Sequence, residues 1–164
     1  MSRLLPTIGL ALLLCAETSF ATRAASDTTD ETTTVEVALE VDGKPFALKG
    51  AGECNFTNDA SIYEAPATMW AVRQYQGDRS VNLTMWRLHK GGDSLTLSVT
   101  ANGKTYRVNT TKIGQQGTIE GAGRWTFTKS GAGGTFTLDA STAAGAKISG
   151  RLTCAGFKKP EDNG

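Results

Sequence analysis

The sequence predicts an all-β domain: an antiparallel β-sandwich or flattened barrel of about 8–10 strands held by one disulfide. Three observations predict it. Apolar and polar residues alternate with period two through most of residues 34–157. Turn-forming dipeptides separate the alternating runs. No window of helical length carries apolar residues at i, i+3 and i+4.

The elements follow in chain order. "TVEVALEV" sets Val35, Val37, Leu39 and Val41 on one face and Glu36 and Glu40 on the other. Asp42-Gly43 then supplies a hairpin turn, because both central positions of such a turn need positive φ. "FALKGAGECNF" is the second strand and ends near Phe56. "NDASIYEAPATMW" breaks the alternation and reads as a long loop, apolar enough through Ile62, Tyr63 and Pro66 to pack down or to meet a partner.

"TMWAVRQY" is the third strand. "SVNLTMWRL" is the fourth, with Val81, Leu83 and Met85 facing one way and Trp86 the other. "SLTLSVT" and "TYRVNTT" flank an Asn102-Gly103 turn. "GRWTFT" and "GTFTLDA" follow around a glycine-rich turn, and "AKISGRLTCAGF" closes the domain. The 19 glycines serve turns and bulges, since the alternation between them is intact.

The N-terminus reads differently. "MSRLLPTIGLALLLCAETSFATRAAS" has a basic start, an apolar run from Leu4 to Cys15 and small residues after it, the layout of a secretory signal peptide. The apolar run is shorter than the roughly 20 residues a membrane span needs. Ser19-Phe20-Ala21 offers a cleavage site, so the expected organisation is a signal peptide over 1–21, a Thr/Asp-rich flexible leader over 22–33, the β domain over 34–157, and a solvated, disordered tail over 158–164. Cys15 admits a second reading as an acylated lipoprotein cysteine, although Leu14 stands where such a signal has a small residue. The expectation is an exported protein of the periplasm or the extracellular space, with no membrane span in its mature form.

Past the signal, two cysteines remain, Cys54 and Cys154. An even count in an oxidising compartment reads as a disulfide. Strand parity supports it: Cys54 shares a face with Phe46 and Leu48, and Cys154 with Ile148 and Leu152, so both sulfurs face the apolar side. The single histidine and the lack of a short Cys-x-x-Cys spacing argue against a metal site. A formal net charge of +1 gives no basic stripe for nucleic acid.

Candidate functional residues are sparse. His89, Asp93 and Ser94 cluster in "LHKGGDS", but a glycine-rich hairpin tip cannot hold a catalytic base between nucleophile and carboxylate. Glu53 and Glu64 are the carboxylates in non-repetitive context and read as surface groups rather than as a glycosidase pair. Trp125 shares parity with Phe127 and reads as core. Trp86 is placed on the outer face near Arg87, Trp70 fits either register, and Tyr63 lies in the long loop. Trp86, Trp70, Tyr63 and Arg87 are therefore the candidate ligand-binding set, able to stack on a sugar ring or anchor a protein contact. Asn55, Asn82 and Asn109 begin Asn-x-Ser/Thr triplets that matter only in a glycosylating host.

Val41-Asp42-Gly43-Lys44, the mid-chain "GECNF" and the terminal "ISGRLTC" together resemble the mycobacterial LpqH-type lipoprotein antigens. The resemblance covers the two ends of the domain; the central strands and Leu14 depart from it. It implies a small, envelope-associated, non-enzymatic β domain with one disulfide between an early and a final strand, and transfers no binding residue. The expected function is that of a monomeric, cofactor-free binding protein for a protein or glycan of the cell envelope. The alternatives are a proteinaceous inhibitor of an envelope-acting enzyme such as lysozyme, or a surface lipoprotein antigen.

Overall fold

The computed structural model describes residues 32–159. The expected signal peptide, leader positions 22–31 and tail positions 160–164 lie outside the described residues. Nine strands form: β1 (Thr33–Val41), β2 (Lys44–Ile62), β3 (Ala65–Gln76), β4 (Arg79–Leu88), β5 (Asp93–Ala101), β6 (Lys104–Asn109), β7 (Ala122–Ser130), β8 (Gly133–Ser141) and β9 (Lys147–Cys154). Among the described residues there is no helix, hence none long and apolar enough to cross a membrane.

The strands make one antiparallel sheet in the order β6-β5-β4-β3-β2-β1-β9-β8-β7, curled into a half-barrel. Curling lets one sheet bury its own concave face, which here holds Val35, Val37, Leu39, Leu83, Met85, Leu97, Phe136, Leu138, Ile148 and Leu152, each at most 5 % exposed. Burying a side chain of this kind contributes about 1.5–3 kcal/mol.

β2 is the hinge of this architecture. It pairs with β1 through Gly52 and with β3 from Glu53 onward. The change of partner needs a close backbone crossing: a Cβ on Gly52 would lie 2.6 Å from the Arg73 carbonyl oxygen and 2.8 Å from Val35 Cγ2. Only glycine fits there. Where β1 runs out, the segment after β9 takes its place beside β2. Phe56 N donates to Lys158 O at 2.7 Å, and Lys158 N to Cys54 O at 2.9 Å. Lys158, expected in a solvated tail, is thus held by backbone pairing. The Cys54–Cys154 disulfide sits at this junction with its cysteines 1 % and 2 % exposed.

The hairpins show one departure from the sequence reading. Asp42-Gly43 (φ 52° and 74°) and Asn102-Gly103 (53° and 72°) make the expected tight turns. The "NDASIYEAPATMW" stretch is no long loop. β2 runs on to Ile62, with a register irregularity between Thr57 and Ala60, and turns through Tyr63-Glu64 directly into β3. Both residues are left-handed, at φ 47° and 66°. Neither side chain favours that region, which costs roughly 1–2 kcal/mol per residue, so cross-strand pairing on either side holds the turn in place.

Candidate functional site

Inward parity and the curl of the sheet bring together six aromatic rings that are distant in sequence. Phe56 comes from β2, Trp70 from β3, Trp125 and Phe127 from β7, Phe136 from β8, and Phe157 from the segment after β9. Trp70 is central: its ring centroid lies 5.5 Å from Phe56, 5.3 Å from Trp125 and 5.6 Å from Phe127. Phe127 stacks on Phe136 at 4.8 Å and meets Phe157 edge-on at 5.7 Å. Offset and edge-to-face contacts of this kind each add about 0.5–1.5 kcal/mol beyond area burial.

Arg87 caps one side of the cluster. Its guanidinium carbon lies 4.8 Å from the Trp125 ring centroid and 5.8 Å from that of Trp70. Its Nε and a terminal nitrogen each donate to Asp93 at 3.0 Å, a bidentate pair. The hydrogen bond to Asp93 raises the Arg87 pKa above its ordinary value, against a smaller opposing effect of burial. Trp125 Nε1 donates to Ser94 O at 3.2 Å.

The other side of the cluster is open. Phe56, Trp70, Phe127 and Phe157 wall a groove of about 230 Å³, with Lys129 and the β7–β8 turn Gly131–Gly133 at its rim. Trp70 itself is only 6 % exposed, and its indole Nε1 is buried with no hydrogen-bond acceptor among the described residues. Leaving a buried donor unsatisfied costs about 1–3 kcal/mol, and such orphans are uncommon enough in folded proteins to need a reason. Two other hollows, of about 280 Å³ each, lack this combination. One lies between the Asp42-Gly43 and Asn102-Gly103 tips, and the other is bordered by Asn58, Asp59 and Lys159.

The four residues picked from sequence do not share a surface. Trp70 and Arg87 are on the concave side, Trp70 within the core instead of on a face able to stack a ligand openly. Trp86 is half-buried on the outer face, paired across strands with Met69 and Ser94. Tyr63 is 47 % exposed at the β2–β3 turn. Phe56, Phe127, Lys129 and Phe157 were missed as site residues. Their parity was legible, but their convergence depends on the curl.

His89, Asp93 and Ser94 do not assemble. His89 Nε2 lies 3.4 Å from Thr68 Oγ1, Asp93 is engaged by Arg87, and the Ser94 hydroxyl accepts from Thr111 Oγ1 at 3.3 Å. Glu53 pairs with Arg73 at 3.3 Å, and Glu64 is exposed in its turn. Among the described residues no group of three or more His, Cys, Asp or Glu is placed to hold a metal ion. Comparison with known proteins finds no family model, no curated protein and no solved structure that matches this chain.

Proposed function

We propose that this chain is an exported binding protein of the cell envelope, which recognises a protein or glycan partner through the aromatic groove and performs no chemistry on it. One observation carries the reading: an apolar groove floored by Trp70, whose buried indole N–H has no acceptor within the described protein. Gln74 Oε1 is also buried without a partner, but Gln74 does not line this groove; the Trp70 donor belongs to a residue that floors aromatic walls open to solvent, and a partner supplies what is missing there. Apolar recesses with a few placed polar groups are the usual form of recognition sites. The Cys54–Cys154 bridge supports an oxidising compartment, and export is tested directly by the intact mass of the protein from its host. A chain starting near Thr22 with two thiols released only by reductant is expected; an acylated chain starting at Cys15 makes the protein membrane-tethered instead.

The groove is tested by placing a photo-reactive benzoylphenylalanine at the exposed Ala132 and, as a control, at Asn102 near the opposite pole. Irradiation in the native envelope is expected to give one discrete adduct from position 132 and none from 102. Identical adduct patterns from both positions, or none from either, refute the groove as the recognition site.

A further inference from the structure

β7 ends the sheet order and pairs with β8 alone among the strands. Its first half is covered on the inside: a Cβ on Gly123 would meet the Leu95 side chain at 2.9 Å, and Trp125 bonds to Ser94. From Thr126 to Ser130 the cover ends. Thr126, Thr128, Lys129 and Ser130 are exposed, while Phe127 turns inward as a wall of the groove. An unpaired strand edge is a template for another strand, and this one adjoins an apolar slot. A chain added along the edge alternates its side chains between faces, so the residue opposite Phe127 falls on the groove side.

Size and charge narrow the occupant. At about 230 Å³ the groove is below the ≈ 300–1,000 Å³ of sites that enclose whole small molecules, and suits one anchoring side chain. β7 carries Arg124 and Lys129 and no acidic residue, and Lys159 is exposed beyond Phe157. Arg124 already pairs with Asp139 at 2.8 Å, which leaves Lys129 as the cation at the groove rim. A second copy pairing β7 with β7 would bring together two strands that carry basic residues and no acidic one, so it offers Lys129 no counter-charge from the incoming strand. This chain's own acidic leader, "SDTTDETTT", has no apolar side chain with which to fill the groove.

We infer that the groove and the free edge of β7 form one docking site for an extended, acidic segment of a partner protein. The segment adds as a strand along Thr126–Ser130 and inserts an aromatic side chain among Trp70, Phe127 and Phe157, and the Trp70 indole N–H turns to a carbonyl of the incoming strand. This rests on the binding reading above and narrows it to a peptide ligand.

The test pans a phage-displayed library of random linear peptides on the disulfide-intact protein, then titrates the enriched peptide into ¹⁵N-labelled protein. The expected peptides alternate, carry one aromatic residue and have Asp or Glu beside it. Their binding shifts the Trp70 indole resonance and protects amides of Thr126–Ser130 from exchange. Ala132→Trp, which fills the groove from an exposed position, and Lys129→Glu, at an exposed rim residue, should each weaken binding by about tenfold or more, a difference of about 1.4 kcal/mol. Failure to enrich any peptide, peptides indifferent to both substitutions, or protection confined to other strands overturns the inference. A glycan adduct at position 132 together with no enriched peptide refutes the peptide ligand and leaves the binding reading standing. No adduct and no peptide refute both.

Discussion

Removing the disulfide tests how the fold is held. Cys54 and Cys154 are 100 residues apart in sequence, and the bridge joins β2 to β9 across the Thr33 end of β1, which lies between them: Cys154 pairs with Val35, and Cys54 stands two residues beyond Gly52, the partner of Thr33. Cross-linking a loop of that length withdraws about 2.1 + 1.5R ln 100 cal/mol/K of entropy from the unfolded chain, or about 4.7 kcal/mol at 25 °C. The double replacement Cys54→Ala, Cys154→Ala should therefore lower unfolding free energy by about 3–5 kcal/mol, allowing for the smaller effects often measured. The assay is urea unfolding of both proteins without reductant. If the stabilisation acts through the unfolded state, the m-value must also rise, because the freed chain exposes more surface. A loss below about 1 kcal/mol, or a full loss with unchanged m, refutes the entropic account. The second result would place the stabilisation in native contacts around the buried sulfurs.

Three further outcomes are expected. Gln74 is 2 % exposed with its Oε1 unpartnered, so Gln74→Met should raise stability by about 1–2 kcal/mol in the same urea assay; a loss would show that the amide is satisfied in solution. Glu64→Gly relieves a left-handed residue in the β2–β3 turn and should stabilise by about 0.5–1 kcal/mol in thermal unfolding, with a decrease showing that the glutamate side chain makes a contact worth more than the strain. Asp93→Asn removes the charge from a pair whose side chains are 49 % and 39 % exposed, so the cost should be about 1 kcal/mol or less and should shrink as salt is added. The raised Arg87 pKa makes its own contribution complete below the ordinary arginine value and lost only as pH rises past the still higher folded-state value. Through the neutral range the arginine therefore adds no pH dependence to stability.

Local pattern carried most of the strands. Alternation marked Val35–Val41, Val81–Met85 and Leu95–Val99 as one-faced strands, Asp42-Gly43 and Asn102-Gly103 marked their turns, and parity aimed both cysteines inward. Those features are legible because side-chain direction in a strand follows residue number and because certain residue pairs adopt positive φ readily. The Tyr63-Glu64 turn escaped the same reading. Neither residue signals a left-handed conformation, and the flanking β2–β3 pairing imposes it.

What the sequence by itself determined was fold class, the faces of the strands and the pairing of the cysteines. Tertiary structure alone decided which strand lies beside which. Period two says which face a residue occupies and nothing about its neighbour, so the placement of β9 against β1 and the free edge of β7 had no local signature. It also decided the site. Phe56, Trp70, Phe127 and Phe157 meet because β2 changes partner at Gly52 and the sheet curls onto itself, and the close backbone crossing at that glycine is made with Arg73 and Val35, neighbours remote in sequence.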